Sequence, residues 1–183
     1  MINRDAYFWL ESLSQDPQFM NCCPIPDRLA LERYDLELVL RFSLLYDIAV
    51  AGISKVTDLG QFLTTEMRLK FAPGVSDLNK IRDVFVRTFR ALDAACGDDA
   101  LRKYDQNRQR FSGPFLISAF ELVALGVAAN LDFVESRNPT WLDAKVKGAW
   151  SDQRASGIYG QGVSTARRLP KTLELGRSIF SEA

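Results

Sequence analysis

The chain has 183 residues, of which 47% are hydrophobic and 25% charged, a composition typical of one globular domain. Its 23 basic and 23 acidic residues balance, so attraction to nucleic acid or to a membrane would need a local patch. The chain has no histidine, which excludes Ser-His-Asp catalysis, Cys-His catalysis and histidine-ligated zinc.

The cysteines point to a reducing compartment. Cys22, Cys23 and Cys96 are an odd number without CxxC spacing, which suits neither a disulfide framework nor a zinc site. We therefore expect structural thiols, no metal, no cofactor and a cytoplasmic location. The early apolar stretch 7–10 is interrupted by Glu11 and is too short for a signal peptide or membrane anchor, so no membrane partner is expected.

Helical periodicity begins in the first third of the chain. Asp35 is predicted to cap a helix that runs to about Ala51 and ends at Gly52. Within this helix, Glu37 and Arg41 stand one turn apart and are expected to form an ion pair.

Two further helices are predicted between residues 58 and 97. Asp58 can cap the first of them, and Ser76 or Asp77 can start the second, a long helix with a well-formed apolar face. Gly97 is the expected C-terminal cap of the long helix. A short helix is predicted to follow over 99–104.

The longest apolar run extends from Phe115 to Leu131 and contains Glu121 and Asn130. It lies among charged neighbours, so it predicts a core helix over about 115–130, wrapped by the other helices, rather than a membrane span.

The last part of the chain completes an all-α, multi-helix domain. Asn138 and Pro139 start a helix that reaches Trp150. We predict a helical core domain over 1–150, a Gly/Ser-rich loop over 151–164 and a C-terminal helix over 165–183 that packs on the same domain. No strand pattern of useful length is present.

Basic residues form two candidate nucleic-acid-binding clusters. They are Arg102, Lys103, Arg108 and Arg110 in one segment and Arg167, Arg168 and Lys171 in the other. Such clusters suit contact with phosphates, but ordinary surface charge gives the same pattern. Trp9, Trp141 and Trp150 lie near the ends of the chain and are candidates for a partner interface.

Two segments resemble a known family. They are LERYDLELVLRF at 31–42 and NRQRFSGPFLISAFELV at 107–123, with Phe62, Leu63 and Met67 between them. Their order is similar to the helical C-terminal part of the GmrSD-type restriction-endonuclease family. Members of that family join a ParB/sulfiredoxin-like domain to such a helical region, often with an HNH nuclease domain beyond it.

The catalytic motifs of that family are absent from this sequence. There is no Asp-Gly-x-Gln-Arg motif, and without histidine there is no HNH domain. The resemblance therefore implies a non-catalytic helical scaffold from a DNA-restriction or phage-defence system, which docks on a ParB-like nuclease subunit or self-associates. The alternative is a stand-alone module that binds DNA through the basic clusters. A self-sufficient enzyme would need a nucleophile with its base, or a metal site, and neither is evident.

Overall fold

The computed structural model describes residues 4–53, 56–72, 77–155, 158 and 164–182. These residues form one compact helical unit with a single two-stranded hairpin, so the predicted all-α class is confirmed. In chain order the elements are α1 (Arg4–Ser14), α2 (Pro17–Cys22), α3 (Asp27–Leu31), α4 (Tyr34–Leu45), α5 (Val50–Ile53), α6 (Leu59–Lys70), α7 (Leu78–Cys96), β1 (Lys103–Asp105), β2 (Arg110–Ser112), α8 (Ile117–Ala119), α9 (Leu125–Ala129), α10 (Leu131–Glu135), α11 (Pro139–Ala149) and α12 (Thr165–Phe180).

Aromatic rings hold the N-terminal helices to the long helix α7. Phe85 and Phe89 of α7 are fully buried, with ring centroids 5.3 and 5.0 Å from Phe19 of α2. Phe42 of α4 lies 5.0 Å from Phe85 in an edge-to-face arrangement. Such pairs add to the free energy that burial of the rings already provides.

The predicted helix boundaries are confirmed where a capping side chain defines them. Asp58, Asp77 and Asn138 each accept hydrogen bonds from backbone N–H groups in the first turn of the helix that follows. Gly97 has a φ of 56°, a conformation that favours glycine, and it ends α7 as expected.

The predicted central helix is present, and it contains a π-helical turn. Between α8 and α9, residues 120–124 form a π segment in which every side chain is buried. A π turn inserts one extra residue into a helix and so changes which side chains face inward. α12 packs on this central helix.

Two glycines let the backbones of α12 and the central helix touch. A Cβ atom added to Gly126 of α9 would lie 2.7 Å from the carbonyl carbon of Gly176 in α12. A Cβ atom added to Gly176 would overlap the carbonyl oxygen of Leu122. Only glycine permits such an approach, so this crossing fixes where α12 lies.

The helix predicted over 35–51 is broken, which corrects that expectation. It ends at Leu45 and helical structure resumes at Val50, so Gly52 lies inside α5 rather than at a helix end. The break exposes the carbonyl oxygen of Ile48, and the Arg177 guanidinium donates a 2.6 Å hydrogen bond to it. A distant side chain thus satisfies a backbone group that a continuous helix would have satisfied internally.

The short helix predicted over 99–104 is also wrong. Residues 97–99 form a 3₁₀ turn, and residues 103–112 form an antiparallel hairpin in which Tyr104 pairs with Phe111. The Asp105 side chain accepts hydrogen bonds from two N–H groups of the turn, and Gln109 has a φ of 49°. These turn contacts favour a hairpin over a helix. Of the predicted loop over 151–164, residues 156, 157 and 159–163 lie outside the described residues.

Candidate functional site

A buried ion network lies where α4, the π segment and α12 meet. Glu121 of the π segment is 1% exposed, and its two carboxylate oxygens accept hydrogen bonds of 2.9 Å each from Arg168 of α12. The Thr172 hydroxyl lies 3.4 Å from the same carboxylate. A buried carboxylate requires such partners, because its desolvation is otherwise strongly unfavourable.

Arg41 extends this network toward the surface. Its guanidinium lies 3.7 Å from Glu121 and donates a 2.6 Å hydrogen bond to Glu37, so the predicted Glu37–Arg41 pair is confirmed. Hydrogen bonding to Glu121 raises the pKa of Arg168 above its ordinary value. The Arg168 guanidinium therefore stays charged, and the network joins α4, the π segment and α12.

The second predicted basic cluster is divided by this arrangement. The Arg168 side chain is engaged with Glu121, so its charge is neutralised inside the molecule. Arg167 and Lys171 lie on α12 with exposed side chains. Of this cluster, two residues are placed where an external phosphate could reach them.

The first predicted basic cluster surrounds the hairpin. Arg102 lies 3.3 and 3.4 Å from Asp98 and Asp99, so its charge is partly compensated. Lys103 and Arg110 stand on the outward face of the two strands, and neither forms an ion pair within 4 Å in the described part of the chain. Arg108 lies in the turn, with Asp105 at 3.8 Å.

Aromatic packing anchors the hairpin to α11. The inward rings of Tyr104 and Phe111 have centroids 4.9 Å apart, and the Lys147 ammonium lies over both of them. The Gln106 amide donates a 2.9 Å hydrogen bond to the Lys147 carbonyl. These contacts hold the hairpin against α11, and its basic side chains point outward.

The three tryptophans lie partly buried against the core and do not form one exposed patch. Trp9 packs edge-to-face on Phe71, and Trp141 packs in the same way on Phe133. Lys145 also covers the Trp141 ring. Their main contribution is packing rather than an open apolar surface.

Exposed apolar side chains are concentrated instead on α1–α3. Among the described residues, the large hydrophobic side chains with high exposure are Tyr7, Phe8, Met20, Leu31 and Leu69, and four of these five belong to the first three helices. Met20 is 53% exposed and Leu31 is 86% exposed. Side chains of this size gain free energy when a partner covers them.

Beside these side chains is a cleft of about 530 Å³, which we call the N-terminal cleft. It is lined from α1, α2, α3 and the start of α4, and Met20, Pro24 and Ile25 supply apolar walls. Its charged rim consists of Glu11, Arg33 and Asp35. A concave, mainly apolar surface with a few polar groups is typical of a binding site.

Arg33 is held rigidly at the rim of this cleft. Its backbone has a φ of 55°, in the left-handed region that residues other than glycine rarely adopt. Its guanidinium donates to the Glu11 carboxylate at 3.2 Å and to the Tyr7 hydroxyl at 3.0 Å, and it also lies 3.4 Å from Asp35. These contacts offset the backbone strain and link α1 to α4.

The cysteines offer no reactive thiolate at neutral pH. All three are free, and burial raises the pKa of Cys22 and of Cys23 well above the ordinary value. Burial, with the nearby Asp143 carboxylate, raises the pKa of Cys96 to about 12. In the part of the chain that the structure describes, no group of three or more Cys, Asp or Glu side chains could hold a metal ion.

No family model, curated protein or solved structure matches this chain. The similarity to the GmrSD-type family therefore stays a prediction from the two sequence segments. Among the helices of the described residues, none has the length and apolar character needed to cross a membrane.

Sequence analysis missed the N-terminal cleft and the buried partner of Glu121. One signal was available for Glu121, because it is the one charged residue in the apolar run 115–131 and so required a counter-charge. Nothing in the sequence indicated that Arg168, 47 positions away, would supply it. The cleft depends on how four helices meet, which no local pattern reveals.

Proposed function

We propose that the chain is a non-catalytic interaction domain that binds a partner protein through the N-terminal cleft. The observation that carries this proposal is that α1–α3 expose Tyr7, Phe8, Met20 and Leu31 and also supply walls of a cleft of about 530 Å³, which Met20 itself lines. An exposed apolar surface of this kind is typical of a protein–protein interface.

The cleft also favours a particular partner chemistry. Its rim carries Glu11 and Asp35 against one cation, Arg33, so its net charge is negative. A partner segment that places an apolar side chain beside a Lys or Arg would match it. The family resemblance suggests the source of that segment, a ParB-like catalytic subunit of a restriction or phage-defence system.

Affinity capture from the native host tests this function. The tagged chain is expected to recover a ParB-like protein in near-equal amount. Met20→Glu, in the cleft wall, and Leu31→Glu, on the adjoining helix α3, should each reduce that recovery by at least tenfold. These changes remove apolar contact and would bury a carboxylate against the apolar side chain of the partner, where its desolvation is unfavourable.

Leu69→Glu is the matched control, because Leu69 is 58% exposed but lies on α6, which supplies no residue to the cleft lining. It should leave the recovery unchanged. Recovery of the chain alone, or equal loss with all three variants, would contradict the proposal.

Nucleic-acid binding through the hairpin is a second candidate, supported by the outward face of β1 and β2. Lys103 and Arg110 share this face with Asp105, which stands opposite Arg110 in the ladder. Neither cation has a carboxylate within 4 Å among the described residues, and Arg108 lies at the turn. A two-stranded ribbon fits the major groove of DNA. Three phosphate contacts would give log K a slope of about −3 against log salt.

Fluorescence anisotropy with a labelled DNA duplex tests this second candidate. Charge reversal at Lys103, Arg108 and Arg110 should abolish binding. Lys80→Glu, at an exposed position of α7, should preserve it. Binding that is absent at low salt, or equal in the two variants, would exclude the hairpin as the DNA-binding element.

A further inference from the structure

A second cavity, distinct from the N-terminal cleft, lies beside the helix break between α4 and α5. Its volume is about 340 Å³, and it is lined by Tyr46, Asp47, Ala128, Ala129, Asn130 and Arg177. We call it the Arg177 cavity. It forms where α12, the end of α9 and the break at residues 46–49 meet.

Arg177 is a half-buried cation without a carboxylate partner. One N–H of its guanidinium donates to the Ile48 carbonyl at 2.6 Å, and its Nε atom is buried with no hydrogen-bond partner. Burial lowers the pKa of Arg177, which shows that its surroundings disfavour the charge. A buried guanidinium usually pairs with a carboxylate or another anion.

No carboxylate of the chain pairs directly with Arg177, although Asp47 lines the same cavity and its charge partly opposes the effect of burial on the pKa of Arg177. All 23 Asp and Glu residues lie in the described part of the chain, and none comes within 4 Å of Arg177. The nearest relevant carboxylate, Asp47, is occupied by the Lys70 ammonium at 2.9 Å and by the Tyr46 hydroxyl. The lining itself therefore carries one cation, Arg177, and one carboxylate, Asp47, whose charge is already compensated by Lys70.

We propose that the Arg177 cavity binds a small oxyanion, a carboxylate or a phosphate, with the Arg177 guanidinium as its counter-charge. One hydrogen bond to Ile48 and the buried Nε–H leave the other N–H groups of the guanidinium for the ligand. A guanidinium fork matches the oxygens of either anion. The Ala128 and Ala129 methyl groups would contact an apolar part of the ligand.

Thermal unfolding in defined salts tests the site. Sodium phosphate and sodium acetate are each compared with sodium chloride at equal ionic strength. At about tenfold excess over its Kd, a bound anion should raise the Tm by about 3–5 °C. Phosphate also stabilises folded proteins non-specifically, so the informative quantity is the rise that Arg177→Gln removes.

Arg167→Gln is the matched control, because Arg167 is an exposed arginine on the same helix. The Arg167→Gln variant should show the same anion-dependent rise in Tm as the native chain. An Arg177-dependent rise with phosphate alone, acetate alone or both supports the site and identifies the anion it prefers. An equal rise in the native chain and in Arg177→Gln overturns the proposal.

Ala129→Glu keeps the test decisive if Arg177→Gln does not fold. It leaves Arg177 in place and adds a tethered carboxylate at an exposed position on the cavity wall. The tethered group should occupy the site, and the anion-dependent rise in Tm should fall to the chloride level. A rise as large as that of the native chain would contradict an oxyanion site.

Discussion

The two ends of the molecule differ in how completely their side chains are buried. At the crossing of α12 and the central helix, glycine backbones touch and the one buried carboxylate is paired. Around α1–α3, large apolar side chains remain exposed beside an open cleft. At the C-terminal crossing the buried groups have their partners within this chain. The exposed apolar side chains of α1–α3 would gain stability only when a partner covers them. This difference is why we propose the N-terminal cleft as the functional surface.

The largest expected effect comes from removing the buried carboxylate. Glu121→Ala leaves Arg168 and Arg41 without their shared partner in a buried site, and should lower the free energy of unfolding by about 3–5 kcal/mol. Urea unfolding measures this loss. Glu37→Ala removes only the exposed partner of Arg41 and should cost less than about 1 kcal/mol. Similar losses in the two variants would mean that the network does not hold the crossing.

Adding a side chain at the contact between Gly126 and Gly176 should cause the next largest loss of stability. Gly176→Ala forces the backbones of α12 and the central helix apart, and should destabilise the fold by about 2–3 kcal/mol. Gly148→Ala is the matched control, since a Cβ atom there meets nothing within 4 Å and α11 favours alanine. It should stabilise the fold by about 0.5–1 kcal/mol. Chemical denaturation should show that the free energy of unfolding falls in Gly176→Ala and rises in Gly148→Ala. Changes of the same sign would contradict the close approach of the two backbones.

Alkaline pH should destabilise the fold, because Cys96 and Tyr46 pack against the core as neutral groups. Burial raises the pKa of Cys96 and of Tyr46 to about 12 in the folded chain, from ordinary values of 9.0 and 10.0. The unfolded chain therefore loses these protons first, so their contribution to stability is complete below about pH 9 and is lost as the pH rises to about 12. Cys96→Ala and Tyr46→Phe should each make the fall in Tm over this range shallower. An unchanged fall would show that these groups do not cause it.

The smallest expected effect on stability comes from the exposed apolar side chain of Leu31 on α3. Leu31→Glu changes a side chain that is 86% exposed, so the free energy of unfolding should stay within about 0.5 kcal/mol of the native value. The same variant should lose partner binding. A large loss of stability would instead assign Leu31 to the core and remove it from the interface.

Local signals predicted most of the fold. Asp58, Asp77 and Asn138 mark helix starts because their side chains cap the very next turn, and the apolar run 115–131 marks the centre. The hairpin was missed because its strands have three residues each and depend on Lys147, far along the chain. The site was missed for the same reason, since the network and both cavities are built from residues that meet only after folding.

The central claim is that the N-terminal cleft is the surface a partner protein covers. Hydrogen exchange of the captured complex, compared with the free chain, tests it most directly. We predict slower exchange of backbone amides within residues 17–31, with residues 59–70 and 103–112 unchanged. Protection confined to the hairpin at 103–112, or no protection of α2 and α3, would contradict the claim.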